Sequence, residues 1–181
     1  MKSWPPATIV ARDEDLRSEL EQALSELGQP IIARSADETG GRESTTKVFI
    51  ELPSNIELVE PVADYLTTLV DKIWSLATDP RLSLAIALRE ALVNAIKHGN
   101  HNDPAKLVRI ALEISINEAT FTVEDEGGGF NVNDIPPPKD PDNLLKSSGR
   151  GLLLIKSIMN ETRYNARGNQ LTMIKKRAVT P

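Results

Sequence analysis

The sequence predicts an α+β fold with two layers, in which one mixed β-sheet is covered by helices on one face. Segments that alternate between apolar and polar residues, as half-buried strands do, flank longer segments with apolar residues at helical spacing. After residue 46 the predicted order is strand, two helices, two strands, a long loop, a helix and two strands. Because each strand and each helix has one apolar side, helices packed on one face of a single sheet bury these sides together.

Composition excludes several classes of protein and site. The 181 residues include 21 Lys+Arg and 26 Asp+Glu, a net charge of −5, which argues against a direct nucleic-acid binder. There is no cysteine, which excludes thiol nucleophiles, disulfides and cysteine-ligated metals, and two histidines exclude a three-histidine site. No apolar segment reaches the length of a membrane span, and the first ten residues lack the apolar core of a secretory signal. A cytoplasmic protein without membrane attachment is therefore expected.

The charge distribution divides the chain. Residues 1–46 contain 5 basic and 9 acidic groups, whereas residues 47–181 contain 16 and 17. The segment 36–46 is polar, includes a glycine pair and has no apolar periodicity, which is typical of a linker. We therefore expect an N-terminal strand–helix–strand appendage at 1–35, a linker at 36–46 and the main domain at 47–177.

The appendage has strand patterns at 8–10 and 31–33 and a helical pattern at 13–27, which Gly28 ends. This order resembles the beginning of a response-regulator receiver domain, with Asp13 and Asp15 where acidic metal ligands would fall. No phosphoacceptor strand follows, so we expect these carboxylates to stabilise the N-terminus of the helix instead.

In the main domain, turn and cap residues divide the predicted elements. Ser54 or Asn55 is expected to cap the first helix, and Asp79 followed by Pro80 to begin the second, which ends at Gly99. The remaining elements are a strand at 47–52, a hairpin of strands 107–117 and 119–124, a loop at 131–148, a helix at 152–159 and strands at 161–166 and 169–176.

The second helix carries the first candidate motif. Glu90, Asn94 and His98 are spaced i, i+4 and i+8, so a regular helix places them in one polar stripe. A carboxylate and a carboxamide one turn apart offer oxygen ligands to a small cation. A solvated helix face explains the same pattern when it is considered alone.

The second candidate motif ends a strand. Asp125 is followed by glycines at 127, 128 and 129, which allow the backbone to approach a flat or charged ligand closely. Its carboxylate can accept a hydrogen bond from an amino group beside the sheet. A glycine-rich turn is the alternative interpretation.

The third candidate motif precedes a helical pattern. Gly149, Arg150 and Gly151 lie where unpaired N–H groups at a helix N-terminus would bind an anion, and Arg150 adds a charge that matches phosphate. A flexible connector is the alternative interpretation.

In this order and spacing, the three motifs resemble the N-box, G1 box and G2 box of the GHKL ATPase superfamily, whose ATP-binding domain has the Bergerat fold. The stretches E-A-L-V-N-A-I-K-H-G, D-E-G-G-G and S-G-R-G-L are most similar to those of the bacterial anti-sigma factor serine/threonine kinases. The resemblance implies an ATP- and Mg²⁺-dependent protein serine/threonine kinase in transcription regulation. Its implied partners are a sigma factor, which it would sequester, and an anti-sigma-factor antagonist, which it would phosphorylate. The chain could also form a homodimer.

The resemblance also implies roles for the chemical groups. Glu90 would be the general base, and Asn94 would hold Mg²⁺ at the ATP phosphates. Asp125 would receive the adenine amino group. The segment 131–148 would form a lid over ATP. Separately, the charge break and the polar linker predict that residues 1–40 are dispensable for nucleotide binding.

The remaining site residues would shape the pocket. His98 would line the phosphate side or simply favour the helix C-terminus. Asn169 stands where the family usually has an adenine-binding threonine, and the facing of Thr172 is ambiguous. The glycines and arginine expected around the nucleotide are Gly127, Gly129, Gly149, Arg150 and Gly151.

Two alternatives have other functions. One is a non-catalytic GHKL-fold module that acts only by exchanging partners, and the other is the ATP-binding domain of a histidine kinase. The presence of both Glu90 and Asn94 favours catalysis, because a pure binding module has no need of both. Both histidines lie in or just after the first motif, which leaves no phosphoacceptor histidine on an upstream hairpin.

Overall fold

The computed structural model describes residues 5–35, 45–130 and 147–178. Within these residues, seven strands form one sheet in the order β2-β1-β3-β4-β5-β7-β6. The predicted lid lies outside the described residues except for its last two positions, and so do positions 36–44 of the predicted linker. The strands are β1 Ala7–Ala11, β2 Ile31–Ser35, β3 Thr46–Pro53, β4 Leu107–Ile114, β5 Glu118–Asp125, β6 Glu161–Tyr164 and β7 Gln170–Lys176.

The four α-helices of the described residues lie side by side on one face of this sheet. Helix α1 packs beside α2, α2 beside α3 and α3 beside α4. Residues of the central strands alternate between buried and partly exposed, as a sheet with one covered face requires. The α+β, two-layer prediction is therefore confirmed. The helices are α1 Glu14–Glu26, α2 Val59–Trp74, α3 Thr78–Val93 and α4 Ser147–Ile158.

The N-terminal strand–helix–strand unit extends the same two layers. Strand β1 pairs in parallel with β2 and antiparallel with β3, which is what makes the sheet mixed. Ile9, Leu20 and Leu24 are at most 2% exposed and belong to the same hydrophobic core as the main domain. The unit predicted as an appendage thus shares its sheet and its core with residues 46–176.

Asp13 has the structural role that the sequence predicts. Its Oδ1 accepts a hydrogen bond from the backbone N–H of Leu16 at 3.1 Å and so caps α1. Its Oδ2 accepts from Lys72 Nζ on α2 at 2.6 Å, and this bond lowers the pKa of Asp13. The carboxylate therefore joins α1 to α2.

Two predicted helix starts have different outcomes. Asn55 caps a short 3₁₀ turn, Ile56–Leu58, that leads into α2. The prediction that Asp79 caps the next helix is wrong, because α3 already begins at Thr78 and no side chain caps it. Pro80 is tolerated inside the first turn because the first four N–H groups of a helix have no intrahelical partner.

The end of the third helix departs from α-helical geometry. Beyond Val93, Asn94–Gly99 forms a π-helical turn, and the N–H of Asn100 donates to the carbonyl of Ala95 at 2.8 Å. His98 lies on this turn and is exposed.

Two other predicted boundaries also differ. The β4–β5 turn comes at 115–117, where Ser115 Oγ accepts the N–H of Glu118, rather than at 117–118. Helix α4 begins at Ser147, five residues earlier than predicted, so Gly149 and Gly151 lie inside its first turns. No helix among the described residues is long and apolar enough to cross a membrane.

Candidate active site

The first and second motifs meet where the π-helical turn reaches the end of β5. A β-carbon on Gly99 would collide with the carboxylate of Asp125, and one on Gly127 would collide with the carbonyl of Gly99. Contacts this close require glycine at both positions. The end of the N-box motif and the beginning of the G1 motif therefore form one continuous surface.

The first and third motifs meet where α3 packs on α4. A β-carbon on Gly151 would collide with Glu90 Oε2 and would lie 3.5 Å from Asn94 Nδ2. Glu90 and Asn94 thus face the same narrow gap beside α4. Within the described residues, neither side chain makes a hydrogen bond or an ion pair.

The neighbouring Arg89, on the same helix, does have partners. Arg89 donates to Glu60 Oε2 at 2.6 Å and to Asp64 Oδ1 at 2.8 Å, and both carboxylates belong to α2. Its charge is thereby held on the α2 side of the helix. The Glu90 carboxylate remains available to a ligand.

Asp125 is half-buried at the end of β5. Burial raises the pKa of its carboxyl group, against the opposing effects of a hydrogen bond from Gly127 N–H and of the nearby Arg167. The N–H of Gly127 donates to Oδ1 at 2.8 Å. A carboxylate with so little solvation favours a ligand that brings another hydrogen-bond donor.

Comparison with known proteins agrees with this arrangement. The family described as "Histidine kinase-like ATPase domain" matches residues 52–175. The chain belongs to this family. The resemblance predicted from the three motifs is therefore confirmed at the level of the family.

Relatives of this histidine kinase-like ATPase domain carry two kinds of name. The anti-sigma F factor of Geobacillus stearothermophilus is 32% identical over 101 residues, which cover 54% of this chain and 68% of that protein. The serine-protein kinase RsbW of Oceanobacillus iheyensis is 25% identical over 99 residues, 51% of this chain and 63% of the relative. The anti-sigma F factor of Clostridium perfringens is 34% identical over 92 residues, 49% and 64% of the two chains. The matched segments thus span about two thirds of the relatives' length.

Asn169 of the ATPase domain lies beside Asp125. Its backbone carbonyl accepts from Asp125 N–H at 2.9 Å, and its Nδ2 donates to the Asp125 carbonyl at 2.7 Å. Its Oδ1 accepts from Asn165 Nδ2 at 2.9 Å. In β7, Leu171 and Met173 point to the face of the sheet that the helices cover. Thr172 lies between them and points to the other face, away from the site.

The glycine-rich segment of the ATPase domain packs on the turn between β6 and β7. Gly129 has φ 73° and lies against the carbonyl of Arg167, and Gly168 has φ 77° and lies against the carbonyl of Phe130. Arg167 donates to the Gly127 carbonyl at 2.9 Å. This packing holds the glycine-rich backbone in place beside the Asp125 carboxylate.

The other predicted site residues lie nearby with less defined roles. His98 is exposed on the π-helical turn. The backbone of Gly149 and Arg150 lies in the first turn of α4, whose N–H groups have no intrahelical partner. Their helix begins beside Glu90 and Asn94, as a phosphate-binding segment would need to.

Sequence reasoning missed three residues around Asp125. The sequence predicts Gly99 as a helix stop at the end of the first motif and gives no sign of its contact with Asp125; its φ is not positive, and its smallness is required by that contact. Arg167 lies on the β6–β7 turn, where no motif marks it. Asn100 is completely buried and bonds to three separate segments. A polar residue directly after His98-Gly99 was the available signal for Asn100.

Proposed function

We propose that the protein is an ATP-dependent serine/threonine-protein kinase that acts as an anti-sigma regulatory factor. It phosphorylates a hydroxyl of an anti-sigma-factor antagonist and sequesters a sigma factor. The proposal rests on one observation: the side chains of Glu90 and Asn94, which have no partner within the described residues, face the start of α4. The names of the relatives, an anti-sigma F factor and a serine-protein kinase, support the proposed choice of partners.

The adenine of ATP would bind at Asp125, and its phosphates would lie toward the start of α4. The amino group of adenine supplies the donor that the half-buried carboxylate lacks. Gly127 and Gly129 hold the backbone close enough for a flat base. The first turn of α4, which includes Gly149, would contribute unpaired N–H groups, Arg150 would add a positive charge, and Gly151 would leave room for the phosphates beside Glu90.

The residues at the phosphate end fit Mg²⁺. The Asn94 carboxamide faces the same gap as Glu90 and could offer its oxygen to Mg²⁺, which in proteins is commonly bound by few side chains together with phosphate oxygens. Among the described residues no group of three His, Asp or Glu side chains could hold a metal. Phosphate oxygens would complete the coordination of Mg²⁺. Mg²⁺ bound there would neutralise charge on the phosphates.

Glu90 would act as the general base in phosphoryl transfer. The oxygen of the acceptor serine or threonine attacks the γ-phosphorus, the bond from that phosphorus to the β–γ bridging oxygen breaks, and ADP leaves. The hydroxyl proton passes to the Glu90 carboxylate. Transfer of this kind depends on positioning and charge neutralisation, which the gap between α3 and α4 can provide.

Phosphotransfer from γ-labelled ATP to candidate antagonist proteins tests the proposal. The purified chain should label an antagonist on serine or threonine, and only with a divalent cation present. Glu113→Gln, which changes an exposed carboxylate on β4, serves as a control that should retain activity. Partner binding without any labelling of the true antagonist would instead support the non-catalytic partner-switching module. Labelling on histidine would support the histidine-kinase alternative.

A further inference from the structure

Two buried asparagines hold the peptide group that follows Asp125. The carbonyl of Asp125 accepts a hydrogen bond from Asn169 Nδ2 at 2.7 Å, and the N–H of Glu126 donates to Asn100 Oδ1 at 2.8 Å. These two groups belong to the same peptide plane. Both of its polar ends are therefore fixed by side-chain amides, one on each side of β5.

Asn100 is anchored independently of β5. It is 0% exposed, and its Nδ2 donates to Ser54 Oγ at 2.8 Å and to the carbonyl of Leu107 at 2.9 Å. Ser54 lies just after β3, and Leu107 begins β4. Both Nδ2 hydrogens and the Oδ1 of Asn100 are hydrogen-bonded, so the side chain has one stable orientation.

Glu126 adds a second connection to β4. Its carboxylate accepts from the N–H of Leu107 at 2.9 Å and from Arg109 Nη2 at 2.7 Å. The backbone bond to Asn100 and these side-chain bonds pull the residue after Asp125 in the same direction. Rotation of the Asp125–Glu126 peptide would break the bonds of both asparagines at once.

The consequence concerns the direction of the Asp125 side chain. The orientation of the following peptide plane sets the backbone angle ψ of Asp125, and the carboxylate has little freedom because Gly99 and Gly127 pack against it. A base is selected when fixed polar groups match its edge, and discrimination is lost when those groups can move. Adenine presents an amino group to the carboxylate where guanine presents a carbonyl, which a fixed carboxylate repels.

We propose that Asn100 and Asn169 are positioning residues that clamp the Asp125–Glu126 peptide and thereby make the site prefer adenine over guanine nucleotides. The inference rests on the proposed function, because it requires a nucleotide at Asp125. It assigns Asn169 an effect through Asp125, whereas the sequence analysis placed Asn169 among the residues that would help to bind adenine. The clamp joins residues that are distant in the chain and that lie on both sides of β5.

The test compares ATP and GTP affinities by calorimetry in Asn100→Ala, Asn169→Ala and a matched control. Gln29→Ala removes another buried carboxamide, 3% exposed, which donates to the carbonyls of Pro5 and Pro30 in the N-terminal unit. All three variants should lose thermal stability, because each leaves buried groups without a partner. Only the two clamp variants should lower the ratio of ATP to GTP affinity, by about tenfold or more.

Two further measurements test the clamp even if a variant does not fold. If the clamp variants fail to fold, Ser54→Ala weakens the anchor of Asn100 without removing it and should lower the same ratio by a smaller factor. Amide exchange at Glu126 should accelerate in Asn100→Ala but not in Gln29→Ala. An unchanged affinity ratio in the folded variants overturns the clamp. A different result is that the wild-type chain prefers ATP over GTP and the clamp variants lose this preference, while the wild type phosphorylates no antagonist. That result contradicts only the proposed function and leaves the clamp supported.

Discussion

Gly151 lies so close to the carboxylate of Glu90 that a β-carbon at position 151 would collide with Oε2. The same β-carbon would lie 3.5 Å from Asn94 Nδ2. The contact shows why the G2 motif needs glycine even though this residue lies inside a helix, where glycine lowers stability. The space that the missing side chain leaves belongs to the gap in which the proposed chemistry occurs.

Gly151→Ala should therefore displace Glu90 and reduce phosphotransfer by about 10²-fold, the typical effect of moving a catalytic group by about 1 Å. Gly128→Ala is the matched control, because a β-carbon on Gly128 meets nothing within 4 Å. Steady-state phosphorylation of the antagonist measures both variants. Equal activity of the two would contradict the proposed position of the reaction.

Glu90→Gln should keep Mg-ATP binding and partner binding and reduce phosphotransfer by roughly 10²–10⁴-fold, the usual contribution of general base catalysis. The amide retains the size of the side chain but cannot accept the hydroxyl proton. Single-turnover rates at saturating ATP separate this effect from binding. Wild-type rates would eliminate the base role of Glu90.

Asn94→Ala should weaken Mg-ATP binding by at least about tenfold, because the carboxamide is proposed to bind the metal that bridges the phosphates. Thermal stability should change little, since the Asn94 side chain makes no hydrogen bond within the described residues. Asn117→Ala, an exposed carboxamide in the β4–β5 turn, is the control. Titration calorimetry with and without EDTA measures the effect, and unaltered ATP affinity would refute the metal assignment.

The sequence predicted the strands and helices of the main domain well, because their apolar periodicity is local. It predicted a separate appendage, whereas β1 pairs with β3 across the polar segment that separates them. Such pairing is non-local and leaves no trace in composition. The π-helical turn at Asn94–Gly99 was also beyond prediction, since six residues are too few to distinguish one helical period from another.

The candidate site was predicted by residue type and order rather than by geometry. Glu90, Asn94 and Asp125 follow from motifs that the family shares. The contacts that bring them together depend on tertiary packing, above all those of Gly99 with Asp125 and of Gly151 with Glu90. No single-sequence pattern shows which glycine is needed for a close contact and which for a turn.

Leu24→Ala tests whether the N-terminal unit stabilises the fold without taking part in nucleotide binding. Leu24 is 0% exposed, so the substitution should cost about 2–5 kcal/mol and lower Tm by roughly 4–20 °C. ATP affinity measured well below Tm should be unchanged, as expected if residues 1–40 are dispensable for binding. Loss of affinity in the folded variant would link the unit to the site. A chain that starts near Thr45 and does not fold would show that the unit is needed for the core.

Asp125→Asn should abolish ATP and ADP binding about equally, because the carboxylate is proposed to recognise adenine, which both nucleotides share. The same change should raise thermal stability at neutral pH. Burial raises the pKa of Asp125 in the folded state above its usual value of 3.8, so the folded chain favours the protonated form. The stability that Asp125 contributes is therefore fully present below about pH 3.8 and is lost as pH rises through the folded-state pKa.

Asp125→Asn does not lose stability as the pH rises, since its amide stays neutral and can still accept a hydrogen bond from the Gly127 N–H. Its advantage in the free energy of unfolding should be largest near pH 7 and should vanish toward pH 3.8, where the wild-type carboxyl is also neutral. Urea unfolding at a series of pH values measures the difference between the two proteins. A variant that is less stable than the wild type at pH 7 would show that the charged carboxylate stabilises the fold. A defect confined to ATP, with ADP binding intact, would place the phosphates rather than adenine at Asp125.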